Sequence, residues 1–160
     1  MLAIVLSAST IFAQGKERKS PAKTASAKIA GSDITVSYSS PSVKGRTIWG
    51  DLVSYDKVWR TGANEATTFE TSMDVNVEGK TLAAGKYSVF TIPGEKEWAI
   101  IFNSDADQWG AYKYKEDKDV LRVTVNPKAG EHEEMMMIAF KGDNMVIAWE
   151  KIMVPIKISK

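Results

Sequence analysis

No cysteine occurs among the 160 residues, and His132 is the lone histidine. Disulfides, thiolate nucleophiles, iron–sulfur clusters and cysteine-ligated zinc are thereby excluded. Nucleophilic catalysis has little to work with: His132 sits in the charged run Glu131-His132-Glu133-Glu134, and no Gly-x-Ser-x-Gly word occurs. An excess of one charge is missing too, with 21 Lys and Arg against 20 Asp and Glu. No apolar run is long enough for a transmembrane helix. A content of 44% hydrophobic and 26% charged residues excludes a disordered or collagen-like chain, and the length suits one domain.

What is present begins with an uncharged apolar stretch, Met1 to Ala13, followed by Gln14-Gly15-Lys16. Its length and its small terminal residue predict a secretory signal cleaved after Ala13, although the usual basic start is missing. The predicted location is therefore outside the cytoplasm, periplasmic or secreted. Gln14 to Lys28 holds five cations against Glu17, a net of +4, which leaves −3 on Ile29 to Lys160. Residues 14–28 read as a solvated basic linker. Without interleaved aromatics they predict no nucleic-acid partner.

From residue 29 onward the chain reads as one domain of strands. Ile34, Val36 and Tyr38 alternate with polar residues, as do Met73, Val75 and Val77, and again Leu121, Val123 and Val125. Trp98 to Phe102 is continuously apolar, as a strand buried on both faces should be. Met135–Phe140 and Met145–Trp149 flank Gly142-Asp143-Asn144, a hairpin signal. Pro155 in the last strand removes a ladder donor and predicts an edge position. Only residues 47–53 and 104–109 have the spacing for single helical turns. The prediction is an all-β antiparallel β-sandwich, of the jelly-roll or immunoglobulin-like two-sheet type, with eight or nine strands.

Two segments do not read as scaffold. The first spans Pro41 to Val53 and Val58 to Thr67, where Arg46, Trp49, Trp59, Arg60, Asn64 and Glu65 lie among Gly45, Gly50 and Gly62. The second is Asn103 to Asp119, with Gln108, Trp109, Tyr112 and Tyr114 among many charges. Indole faces suit the C–H faces of sugars, and guanidinium, amide and carboxylate groups suit their hydroxyls. Arg46, Trp49, Arg60, Asn64, Glu65 and Trp109 are thus the candidate ligand-binding residues, with Trp59 read as core. Arg60 and Glu65 have two open roles, as an ion pair closing a tight loop or as groups facing a ligand.

Metal sites are poorly matched. Asp105, Asp107, Gly110 and Glu116 fall at positions one, three, six and twelve of a calcium loop, but Trp109 and Lys113 spoil positions five and nine. Met135-Met136-Met137 reads as core filler. No cofactor and no metal is expected.

Tyr38, Pro41-Ser42-Val43-Lys44-Gly45-Arg46, the run Val58-Trp59-Arg60-Thr61-Gly62-Ala63-Asn64-Glu65-Ala66-Thr67, Ala84-Gly85-Lys86-Tyr87, Ile92-Pro93-Gly94 and Gln108-Trp109-Gly110-Ala111-Tyr112 together resemble one family. It is the bacterial domain of unknown function 2911, and the likeness runs from about Ser20 to the C-terminus. The resemblance implies a single-domain secreted or envelope protein of Gram-negative bacteria. It implies no activity and supplies no catalytic residue. Members often carry Arg before the first proline, where this chain has Ser40; if that Arg contacts ligand, the site here is weaker or different.

The leading expectation is an exported β-sandwich that binds a small polar or carbohydrate-like ligand without transforming it. One alternative is an envelope hydrolase using a carboxylate pair, Glu65 with Asp51 or Asp119. Another is an accessory protein docking on a further envelope component through sheet edges or loops.

Overall fold

The structure, a computed structural model, describes residues 17–160. The segment 1–13 read as an export signal lies outside the described residues. Ten strands follow in order: β1 (Ala22–Ile29), β2 (Ser32–Ser39), β3 (Thr67–Thr71), β4 (Val75–Val77), β5 (Lys80–Leu82), β6 (Gly85–Ile92), β7 (Trp98–Asn103), β8 (Asp119–Val125), β9 (Lys128–Lys141) and β10 (Asn144–Ser159). They form two antiparallel sheets, one ordered β1-β2-β3-β6-β7-β8 and one ordered β5-β4-β10-β9. The all-β sandwich expected from the alternating pattern is the fold. Most neighbours in the larger sheet are neighbours in sequence, and the β4-β5 hairpin is the one excursion out of it.

The period-two residues supply the core between the sheets. Ile34, Val36, Phe69, Val89, Ile100 and Phe102 face Val77, Leu82, Met136, Ile138, Ile147 and Ile156, all within 3% of full burial. A separate cluster of Ala66, Phe90 and Ile101 occupies the outer face of β6 and β7. Val58, Ile92, Ala111 and Tyr114 pack against it, so the loops before β3 and after β7 form a partial third layer. This is why Trp98 to Phe102 is apolar on both faces: one side meets the sandwich core and the other meets the loops.

Several expectations are corrected. Residues 22–29, read as part of a solvated linker, form β1 and pair with β2 from Ala22↔Ser39 to Ile29↔Ser32. The joining residues Ala30 and Gly31 both have positive φ, 53° and 81°, as a two-residue hairpin of matching twist requires. The Ala, Ser and Lys content that disguised the strand is what a protected edge strand uses. Neither 47–53 nor 104–109 is helical; among the described residues the one 3-10 turn is Glu116–Lys118. Strand β10, which holds Pro155, is interior rather than an edge. Proline is tolerated there because pairing to β9 ends at Met153 and pairing to β4 begins at Ile158. The strand also bends at Glu150, where φ is 55°, and its end returns to the hairpin, with the Ile158 N–H on Asp143 O at 2.8 Å.

Candidate functional site

One row of polar side chains crosses the outer face of the larger sheet. The register aligns Thr24, Ser37, Thr68, Ser88, Asn103 and Asp119, one from each of the six strands. Alternation places all of them opposite the core. At the β1–β3 end the row is open to solvent. At the β6–β8 end it is roofed by the loop after β7, which leaves Ser88 and Asn103 fully buried.

Buried polar groups must find partners, and these do. Ser88 Oγ donates to Asp105 O at 2.7 Å, and Asn103 Nδ2 donates to Lys115 O at 3.0 Å and to Asp119 Oδ1 at 2.9 Å. Gln108 descends from the loop and donates through Nε2 to Ser88 Oγ, Asn103 Oδ1 and Asp105 O at 3.3, 3.1 and 2.7 Å. Its Oε1 is buried without a partner. Gln108 also separates two cavities, lining both.

The first cavity, of about 590 Å³, lies over the open half of the row. Thr24, Ser37 and Thr68 form its floor, and Lys23, Lys86, Asp107, Gln108 and the Arg18–Glu65 pair stand around it. Glu65 is positioned by two strand-like contacts between the loops. Gly110 N–H donates to Asn64 O at 3.0 Å, and Ala66 N–H donates to Gln108 O at 2.9 Å, so Glu65 and Trp109 pair as an antiparallel bridge. The loop 60–66 reaches this geometry through left-handed residues, Thr61 at φ 58°, Gly62 at φ 150° and Asn64 at φ 56°. Such a φ in β-branched Thr61 costs roughly 1–3 kcal/mol and persists because its surroundings hold it. Here Thr67 Oγ1 donates to Thr61 O at 2.6 Å, and the Thr61 and Thr91 hydroxyls lie 3.1 Å apart.

Arg18 grips Glu65 with both guanidinium nitrogens, Nη1 to Oε2 at 2.8 Å and Nη2 to Oε1 at 2.9 Å. These hydrogen bonds, with a backbone N–H bond as the next cause, hold the Glu65 carboxyl below its ordinary value of 4.5. Asp119 receives Arg122 at 3.2 Å and the Tyr114 hydroxyl. Burial and that carboxylate push the Tyr114 hydroxyl up to about 12.

The six predicted residues separate into two groups. Asn64, Glu65 and Trp109 come together through the paired loops, and Trp109 is 59% exposed. Of the six, Glu65 alone lines a cavity, and Arg46, Trp49 and Arg60 lie away from these loops' pairing as well. Arg46 turns back on its own loop, donating through Nε to Val43 O at 3.0 Å and through Nη2 to Ser42 O. Trp49, expected as an exposed platform, is instead part of a four-tryptophan cluster with Trp59, Trp98 and Trp149 at ring-centre distances of 5.9, 5.2 and 5.8 Å. Gly50 reverses the chain there, and an indole has more to gain against other indoles than in water. Trp59 is core-packed, as expected.

Arg60 and Glu65 do not pair. Arg60 Nε is buried without a partner, and the cation on Glu65 is Arg18. Sequence reading also missed Arg18, Lys23, Thr24, Ser37, Thr68 and Lys86. The outward positions of alternating strands were the available signal for the hydroxyl floor, and Arg18 had none. At Ser40 the side chain is fully buried and donates to Met136 O at 2.6 Å, so this chain uses the position for scaffold. His132 lies exposed on β9.

The family model described as Protein of unknown function (DUF2911) matches residues 20–158, and the chain belongs to that family. The match begins two residues before β1, in agreement with a domain that starts at the edge strand. No curated protein and no solved structure matches the chain at a significant level.

Proposed function

We propose that this DUF2911 protein binds a small, uncharged polar ligand of carbohydrate type in the first cavity and leaves it chemically unchanged. The observation that carries the reading is a cavity of about 590 Å³ whose floor is three side-chain hydroxyls at one register. A hydroxyl both donates and accepts, so a row of them complements the mixed donors and acceptors around a sugar ring. Around the rim Arg18 offsets Glu65, and Asp107 stands against Lys23 and Lys86, a near balance that favours a neutral ligand.

Simple binding is preferred over carboxylate-pair hydrolysis because the two chosen carboxylates are separately engaged. Glu65 is held ionised by Arg18, the wrong direction for a general acid, and Asp119 is bound by Asn103, Tyr114 and Arg122. The uncharged apolar segment 1–13 supports export as the setting for such binding.

The test is an amide-resolved NMR titration with neutral mono- and disaccharides, using the wild type and Ser37→Trp, which fills the cavity from an exposed position. At least one sugar should shift the Thr24, Ser37 and Thr68 amides and raise Tm. Ser37→Trp should remove both effects while leaving the unliganded Tm unchanged. A panel that moves none of those amides, or binding indifferent to Ser37→Trp, overturns the proposal.

A further inference from the structure

A second cavity, of about 500 Å³, lies across Gln108 from the first, beside the buried half of the polar row. Its charge differs. Lys113, Lys115 and Lys118 line it against the single carboxylate of Asp105, and none of the three lysines makes an ion pair among the described residues. Its wall includes Gln108, 92% buried, whose Nε2 is held among acceptors on Ser88, Asn103 and Asp105 and fixes the partition between the two cavities. Tyr112, 87% exposed, stands at the rim with its ring against Gly110, where a Cβ would lie 2.9 Å from it. The φ of 63° at Gly110 shows a backbone that makes room for that ring.

We propose that this second cavity is a binding site for an acidic sugar unit, such as a hexuronate. The carboxylate meets the three lysines, ring hydroxyls donate to the Asp105 carboxylate, and the ring lies against Tyr112. Size and shape distinguish this ligand from a bare anion: a phosphate fills a small part of 500 Å³ and has no ring to lie against Tyr112. A nucleic acid is disfavoured by a single exposed ring at the cavity and by the net −3 of Ile29 to Lys160. The site shares only Gln108 with the first cavity and stands whether or not a neutral ligand binds there.

The experiment measures glucuronate, glucose and inorganic phosphate binding by calorimetry and amide-resolved NMR. It uses the wild type, the exposed triple variant Lys113→Gln/Lys115→Gln/Lys118→Gln, and Ser37→Trp. Glucuronate should shift the 113–118 amides and the Gln108 side-chain amide, and should bind at this site at least tenfold more tightly than glucose. The triple variant should weaken it roughly tenfold or more, since each charge-assisted contact is worth about that factor. Ser37→Trp should leave it unchanged, and phosphate should not compete. Equal response to glucose and glucuronate, an unaffected triple variant, or phosphate binding as tightly as glucuronate overturns the inference. Loss of glucuronate binding in Ser37→Trp overturns it too, by moving the acid to the first cavity and leaving that cavity's role standing.

Discussion

Glu65 takes its ion pair from Arg18, 47 residues upstream, and not from Arg60, five residues upstream. The five-residue spacing brackets a loop with three left-handed residues, which turns Arg60 inward, where its Nε is buried. The approach to β1 instead brings Arg18 alongside, and Asn64 Nδ2 reaches back to Ser20 O at 3.4 Å. The segment preceding the sandwich thus forms one wall of the first cavity.

Arg18→Gln tests this pairing through the Glu65 titration. Because Arg18 lowers the Glu65 value, the pair stabilises the fold above the ordinary carboxyl value of 4.5, and that contribution fades as pH falls through the lower folded value. Carboxyl-detected NMR should find Glu65 titrating below 4.5 in the wild type and closer to 4.5 in Arg18→Gln. Half-exposed partners make the stability change small. An unchanged Glu65 titration would show that the pair does not form in solution.

Trp49 and Trp109 should respond in opposite ways. Trp49→Ala removes one member of the four-indole cluster and should cost about 3 kcal/mol in denaturant unfolding. Trp109→Ala changes an exposed ring and should alter stability by less than about 0.5 kcal/mol. Comparable losses for both would place Trp109 in the core as well.

Gly62→Ala should destabilise strongly. At φ 150° a side chain is strained, and the added Cβ would lie 2.8 Å from Ser39 O and 3.3 Å from Met136 Cε. A loss of roughly 2 kcal/mol or more is expected, and amide spectra should show the 60–66 and 108–110 pairing disturbed. Gly45→Ala is the comparison: it shares a positive φ of 67° but meets nothing within 4 Å, so its loss should be smaller.

Tyr114 should keep its proton well above the ordinary phenol value of 10. Its value is raised to about 12 by burial and by Asp119, so the stability it confers is complete below pH 10 and declines as pH rises through 12. Ultraviolet titration should show a phenol near 12 that disappears in Tyr114→Phe. In Asp119→Asn that phenol should titrate earlier.

The strand residues were legible because alternation is a local property. Ile34, Val36 and Tyr38 announce a half-buried strand from their own spacing, and Gly142 announces the β9–β10 hairpin from its need for positive φ, here 59°. Strand β1 escaped notice because its inward residues, Lys23, Ala25 and Ala27, are too small or too charged to read as a buried face. Its position is set by hydrogen bonds to β2 rather than by its own hydrophobicity.

Half of the candidate site was legible on the same terms. Asn64, Glu65 and Trp109 stood out as polar and aromatic groups beside glycines, and the fold does join their loops. Trp49 and Arg46 looked alike in sequence and are scaffold, since exposure depends on what else arrives at the same place.

Composition and periodicity alone determined a cysteine-free antiparallel sandwich and the two loops that carry its unusual side chains, because strand pattern and turn chemistry act over a few neighbouring residues. Only the tertiary structure decided that Arg18 faces Glu65, that four indoles share one cluster, and that six polar residues from six strands form one row. Those relationships depend on register between strands far apart in the chain, and register is settled by the packing of the whole sheet.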